Sequence, residues 1–294
     1  MGELKITEKT IDIKDVFYKK NPTLAKVIPG FVYNFLRKLV HEDEINKILY
    51  DNKDKYGLDF VRATLNDLGA DIQIEGLENI PPEGKSTLIS NHPLGGYDGL
   101  ALMDAVGRVR KDLYFLANDI LMLLPNLKPL FVPVNKLGTN LDYARTINEA
   151  FTKENIILVF PAGLVSRKIN GVIQDLEWKM TFLTKSKRNK RDIIPAYVEG
   201  KNSNRFYNIA RWRKKLGIKF NVEMALLVDE LFRFKNKTLK IIIGKPVSYK
   251  IIDNRFTLKQ WALIFREHVY NLKNNPSAPL DDAMIKKISK KLFP

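Results

Sequence analysis

Cysteine is missing from all 294 residues, and that absence removes disulfide bridges, thiolate nucleophiles and cysteine-bound zinc or iron–sulfur sites together. Histidine is scarce, with three copies. No stretch holds the roughly 18 to 20 apolar residues that a spanning helix requires, and the opening MGELKITEKTIDIKD lacks the apolar core of a secretory signal. The expectation is a cytoplasmic chain that stands on its packed core.

What is present fits that expectation. Hydrophobic residues make up 45% of the chain and charged ones 28%, enough to bury a full core and too ordered a composition for disorder. One large domain with helical additions follows. Forty-nine Lys+Arg against 33 Asp+Glu leave a net charge of +16, which favours an anionic partner, a nucleic acid or a membrane surface. Charge alone does not choose between them.

Three regions separate along the chain. Over residues 1 to 75, Val32, Phe35, Leu36, Leu39 and Val40, then Phe60, Ala63, Leu65 and Leu68, recur at helical spacing, giving an N-terminal helical cap. Its first stripe, with Tyr33, Arg37 and Lys38 alongside, suits either a core or a bilayer surface. From Asp71 the pattern turns to short apolar runs. STLISN (86–91), LYFLAN (113–118), LFVPVN (130–135), NIILVFP (155–161), DIIPAYVEG (192–200) and LKIIIGKPV (239–247) read as strands, and LDYARTINEAFTKE (141–154) as a connecting helix. This alternation predicts an α/β core over residues 76 to 250, a mostly parallel or mixed sheet flanked by helices. Residues 251 to 294 close the chain with helices at 258–273 and 281–293, the second strongly basic.

Open α/β sheets bind ligands at the carboxyl ends of their strands, so the residues following each run are the informative ones. STLISN leads straight into HPLGGYDG, which places His92 at such an end. The glycines permit a tight turn and close approach of a substrate. A general base needs one tautomer and one orientation, and a carboxylate on its second ring nitrogen supplies both. Asp98 fills that role if the loop folds back; otherwise it caps the helix GLALMDAV and His92 is an ordinary loop residue. A second candidate, FPAGLVSRK (160–168), follows the strand NIILV. Its glycine, serine and arginine suit either an anion site or a solvated turn. Ser166 has no Gly-x-Ser-x-Gly elbow around it and is a poor hydrolase nucleophile.

Taken together, these motifs resemble the glycerolipid acyltransferase superfamily of the lysophosphatidic acid acyltransferase type. Asn91, His92 and Asp98 match its Asn-His-x4-Asp motif. Asn135 and Lys136 after FVPV match its second motif in place and polarity. Phe160, Pro161, Gly163 and Ser166 match Phe-Pro-Glu-Gly-Thr-x-Ser, and IIPAYV (193–198) its Ile-Pro-Val strand. The resemblance runs from about residue 75 to 250, and WK (178–179) and GKPVSY (244–249) extend it. It implies His92 as general base oriented by Asp98, an acyl carrier protein or coenzyme A thioester as donor, a lyso-lipid hydroxyl as acceptor, and no metal, resident cofactor or covalent intermediate. Asn91, Lys136, Gly163, Ser166 and Arg167 are the implied substrate-binding positions.

Two departures matter. Five residues separate His92 from Asp98 where the family has four, and the Gly95-Gly96 pair is expected to bulge to absorb the difference. Ala162 stands where the family has glutamate, which removes its usual organiser of a glycerol-phosphate acceptor. Loops of the NHPLGG type with FPAG are similar to a bacterial branch of predicted glycerol acyltransferases, akin to enzymes that O-acylate lyso-aminolipids such as N-(3-hydroxyacyl) glycine or ornithine.

The resemblance also gives the charge a use. KSKRNKR (185–191) and RWRKK (211–215) are expected to draw the chain to the anionic inner face of the cell membrane as a peripheral protein, or to dock an acidic carrier. Two other classes stay open. One is a non-catalytic lipid or acyl-carrier binding protein on the same fold. The other is a nucleic-acid binder, for which no zinc finger or RNA-recognition motif is present.

Overall fold

A computed structural model describes residues 10–117, 121–133, 140–217 and 223–293. In chain order, α1 (Ile13–Lys20), α2 (Pro22–Val27), α3 (Gly30–Leu39), α4 (Glu42–Asp51) and α5 (Gly57–Asp67) precede β1 (Asp71–Glu75). The core continues with β2 (Ser86–Ser90), α6 (Gly96–Val109), β3 (Leu113–Ala117), β4 (Phe131–Pro133), α7 (Asn140–Thr152) and β5 (Ile156–Val159). A hairpin of β6 (Arg167–Ile169) and β7 (Val172–Gln174) leads into α8 (Thr181–Arg188), β8 (Asp192–Glu199), α9 (Asn204–Lys215), α10 (Glu223–Arg233) and β9 (Thr238–Ile243). The helices α11 (Leu258–Asn271) and α12 (Asp282–Leu292) follow.

Seven strands form one mixed sheet in the order β1-β9-β8-β2-β5-β3-β4. Strands β8, β2, β5, β3 and β4 run parallel, and β9 turns back antiparallel against β8 with β1 parallel beside it. The five residues of β2 are all buried, as expected for a central strand covered on both faces. Phe60, Val61, Leu65 and Leu68 of the first helical region share a core with Leu88, Ile156, Ile194 and Ile241 of the sheet. The opposite face packs Ile89, Ile193 and Ile242 against Trp261, Phe265 and Val269 of α11.

The sheet flanked by helices is the architecture expected from the sequence, with two additions. Strand β1 lies inside the region expected to be a helical cap; it alternates exposed and half-buried residues and carries Asp71, Gln73 and Glu75, so it has no apolar run to announce it. The β6–β7 hairpin begins at the end of the FPAGLVSRK segment, where no strand was expected.

The two ends of the sheet differ in chemistry. At the amino ends, the fully buried Arg191 guanidinium donates to the carbonyls of Ser86, Phe151, Lys153 and Asn155. Burial pulls its pKa down to about 10. It ties together the chain entering β2, β5 and β8 by hydrogen bonds rather than by an ion pair. At the carboxyl ends the chain emerging from β2 and β5 delivers His92 and Phe160 to one place.

Candidate active site

The loop after β2 is anchored before it turns. Asn91 donates from Nδ2 to the Val198 carbonyl and accepts the Val198 N–H at Oδ1, both at 2.8 Å. A side chain thereby prolongs the β2–β8 ladder. Asn91, expected at a substrate-binding position, is 2% exposed and has both ends of its amide engaged with Val198, bracing the loop that carries His92.

His92 follows. Gly95 adopts φ 87° and ψ −121° at the start of α6, a backbone region closed to L side chains, and the chain turns back on itself there. Asp98, fully buried in the first turn of α6, comes within 3.0 Å of His92 Nδ1 through Oδ1, while Oδ2 accepts the Leu94 N–H at 2.8 Å. The five-residue spacing is absorbed as the glycine pair suggested. A carboxylate only accepts, so Nδ1 is the donating nitrogen toward Asp98, an arrangement that in the neutral ring leaves the lone pair on Nε2. The imidazole is 16% exposed. One face of the ring stacks on Phe160, centroids 3.8 Å apart and planes at 15°, and Phe160 in turn meets Phe115 edge-on at 5.6 Å. A hydrogen bond fixes the ring's rotation and an aromatic face fixes its plane.

The third motif grips the backbone of the same histidine. Ser166 reaches the His92 carbonyl with its N–H at 2.7 Å and lies 3.1 Å from it with Oγ, and that hydroxyl also donates to Asp175 Oδ1. Asp175, 1% exposed, accepts the His92 N–H at 3.2 Å and the Trp178 Nε1–H at 2.9 Å. The C-terminal region braces this carboxylate's segment. Asp175 N–H donates to the Tyr270 hydroxyl at 2.9 Å, and Arg266 donates to the Asp175 carbonyl at 3.0 Å. Burial pushes the Tyr270 phenol well above its ordinary pKa.

Sequence reasoning did not single out Asp175, Tyr270 or Arg266. Asp175 lies three residues before Trp178, in the stretch that the aromatic-Lys pair brought to attention. A lone carboxylate there has no spacing that ties it to residues 92 and 166, so only the fold reveals it as their common acceptor.

The expected head-group residues divide. Arg167 is turned into the protein: it donates to the Val165 carbonyl at 2.6 Å, pairs with fully buried Glu223 at 3.1 Å, and lies 5.0 Å over the Phe206 ring. Burial lowers its pKa while Glu223 acts in the opposite sense. The other Glu223 oxygen pairs with Arg213 at 2.8 Å. Arg167, expected at a head-group position, is thereby engaged through both terminal nitrogens with the protein's own groups. Ser166 is likewise buried and occupied with His92 and Asp175. Gly163 is exposed with φ +66°, and a Cβ built there would come within 3.1 Å of Lys179 Nζ. The exposed ammonium of Lys179 therefore flanks the third motif. Asn135 and Lys136 lie outside the described residues.

The His92 imidazole, hydrogen-bonded to Asp98 and stacked on Phe160, lies at the carboxyl end of the central parallel strands. Comparison with known proteins gives the chain its class. Residues 15–279 match the family model described as Acyltransferase, and the chain belongs to that family. It is 45% identical over 264 residues to the lyso-glycine lipid O-acyltransferase of Bacteroides thetaiotaomicron, covering 89% of this chain and 97% of that one. The lyso-glycine lipid O-acyltransferase of Phocaeicola vulgatus is equally similar, with 95% of its length covered. Among solved structures, the 1-acyl-sn-glycerophosphate acyltransferase PlsC of Thermotoga maritima aligns over 88% of this chain and 95% of its own, with 17% identity and a TM-score of 0.49. The chain is thus an O-acyltransferase, and the reading as a non-catalytic binding protein falls away.

Proposed function

We propose that this enzyme transfers a fatty acyl group from an acyl carrier protein or coenzyme A thioester to the hydroxyl of a lyso-aminolipid of the lyso-glycine type. The observation that carries the chemistry is the His92–Asp98 hydrogen bond on a ring already stacked against Phe160. His92 Nε2 takes the acceptor hydroxyl's proton as that oxygen attacks the thioester carbonyl. Asp98 stabilises the imidazolium, and backbone N–H groups hold the oxyanion. Collapse of the tetrahedral adduct breaks the carbon–sulfur bond, and the imidazolium returns its proton to the departing thiolate. Bonds and protons balance with no covalent enzyme intermediate.

The acceptor class is supported by the 45% identity to two lyso-glycine lipid O-acyltransferases and by Ala162 in place of a carboxylate. A glycine head group presents a carboxylate, and Lys179 is the cation exposed beside Gly163 that suits it.

The enzyme meets this acceptor as a peripheral protein at the anionic inner face of the membrane. Among the described residues no helix is long and apolar enough to cross a bilayer. Phe31 and Phe35, one helical turn apart on α3, are 74% and 60% exposed, and Val27 of α2 is exposed as well. Outward aromatic residues on a helix suit an interface.

The substrate assignment is tested by lipid profiles of cells lacking the gene, complemented with wild type or His92→Ala. The expected result is loss of a diacylated glycine lipid and accumulation of its hydroxyl-bearing precursor, rescued by wild type alone. A fall in phosphatidic acid with the glycine lipid unchanged would reassign the acceptor to lysophosphatidic acid.

A further inference from the structure

The two basic clusters in the sequence lie at different ends of the sheet. KSKRNKR covers the end of α8 and the turn that leads into β8. Because β8 runs parallel to β2 with Ser86 opposite Asp192, this cluster sits at the amino ends of the strands, away from His92. Part of it is also committed to the fold. Arg191 is fully buried, Ser186 is buried against Thr87, and Lys185 donates to Asn148.

RWRKK is placed otherwise. Helix α9 begins just beyond the carboxyl end of β8, and its Phe206 and Tyr207 pack with Val165, the neighbour of Ser166. Its last turns connect to the third motif through Arg167–Glu223–Arg213, two ion-pair contacts of 3.1 and 2.8 Å. Next to Arg213, Trp212 is 53% exposed, and one turn on Leu216 is 68% exposed. Arg211, Lys214 and Lys215 are exposed around them, and the Lys215 ammonium sits 5.3 Å from the Trp212 ring centroid. A half-exposed tryptophan and an exposed leucine on a basic helix end match a lipid interface, where indole sits at head-group depth and long cationic side chains reach phosphates. An acidic protein would be served by the charges alone and gives no use to Leu216.

We propose that the C-terminal half of α9 is a membrane contact, with Trp212 and Leu216 entering the head-group region of an anionic bilayer and Arg211, Lys214 and Lys215 binding its phosphates. This places lipid beside the third motif and leaves the KSKRNKR end facing water. The proposal rests on the peripheral-membrane reading above and assigns that reading a surface.

The protein supplies its own probe. Of its three tryptophans, Trp178 and Trp261 are 2% and 0% exposed, so a change in emission on adding vesicles reports Trp212. The full chain is mixed with phosphatidylglycerol–phosphatidylcholine vesicles and with phosphatidylcholine alone, while flotation measures binding independently. The expected result is a blue-shifted emission with the anionic vesicles, absent in Trp212→Phe. Vesicle affinity falls about 10²-fold in the triple variant Arg211→Gln/Lys214→Gln/Lys215→Gln, as three basic residues at about 1 kcal/mol each require. Lys187→Gln/Arg188→Gln/Lys190→Gln leaves affinity unchanged. Flotation with unaltered emission, or equal losses in both triple variants, overturns the α9 assignment and leaves the peripheral reading standing. No flotation removes both. Emission that responds to an acidic acyl carrier protein and not to vesicles makes this face a protein dock instead.

Discussion

Asp175 accepts the backbone N–H of His92 at 3.2 Å across 83 positions of sequence. The same carboxylate holds Ser166 Oγ and Trp178 Nε1, so His92, the third motif and the segment leading into α8 share one buried acceptor. Asp98 aims the imidazole, and Asp175 sets the height at which the backbone presents it.

Asp175→Asn tests that division. The amide keeps one acceptor oxygen and turns a donor toward a donor, so the His92 backbone shifts while the His92–Asp98 bond survives. A displacement of about 1 Å near reacting atoms costs about 10²-fold. The expected outcome is a kcat lowered by that order with the acceptor KM unchanged, read from steady-state kinetics on protein whose circular dichroism matches wild type. An unchanged kcat would show that Asp175 serves the fold alone.

Asn91 and Lys179 separate structure from binding. Asn91→Ala leaves the Val198 N–H and carbonyl without partners in a buried place, at about 1 to 3 kcal/mol for each group. A lower urea midpoint is expected, with acceptor KM unaltered in the remaining folded protein. Lys179→Gln should do the reverse, raising acceptor KM and leaving the midpoint in place.

Arg167 belongs with Asn91 in this account. Removing one partner of a buried pair strands the other charge, which costs about 3 to 5 kcal/mol; Arg213 still contacts Glu223, so Arg167→Gln should fall at the low end. Urea denaturation reads this loss. A raised acceptor KM with full stability would return Arg167 to the head-group role that its motif position suggested.

The pH dependence of stability has an identifiable source in His268. Its ring is fully buried on α11, neither nitrogen has a hydrogen-bond partner among the described residues, and burial pulls its pKa down to about 4. The unfolded chain binds a proton near pH 6.5, so between pH 6.5 and 4 the unfolded state takes up the proton and the folded state does not. Stability is complete above about pH 6.5 and declines as pH falls, by about 3 kcal/mol at pH 4. Thermal melts across this range should show the decline in wild type and a shallower one in His268→Leu. Parallel curves would place the acid sensitivity elsewhere.

The parts of the fold with local signatures were legible in the sequence. Buried parallel strands such as STLIS and IILV are short uncharged runs with apolar residues at their centre, and the His92–Asp98 pair showed itself because six positions and two glycines lie within one loop. β1 was hidden because half of its residues face solvent. Asn91 and Arg167 matched motif positions, but their partners, Val198 and Glu223, lie 107 and 56 residues away, and a side chain's freedom depends on such partners. Asp175 was invisible for the same reason. Its three donors come from residues 92, 166 and 178, and only the closed sheet brings them to one oxygen pair.

The central claim is that His92 acts as the general base. The most direct measurement is single-turnover acyl transfer by purified wild type and His92→Ala, with an acyl thioester and a lyso-glycine lipid, alongside urea midpoints for both. The account predicts a rate lower by about 10² to 10⁴ in His92→Ala at an unchanged midpoint. A variant that folds like wild type and transfers acyl groups within a few-fold of its rate would contradict it.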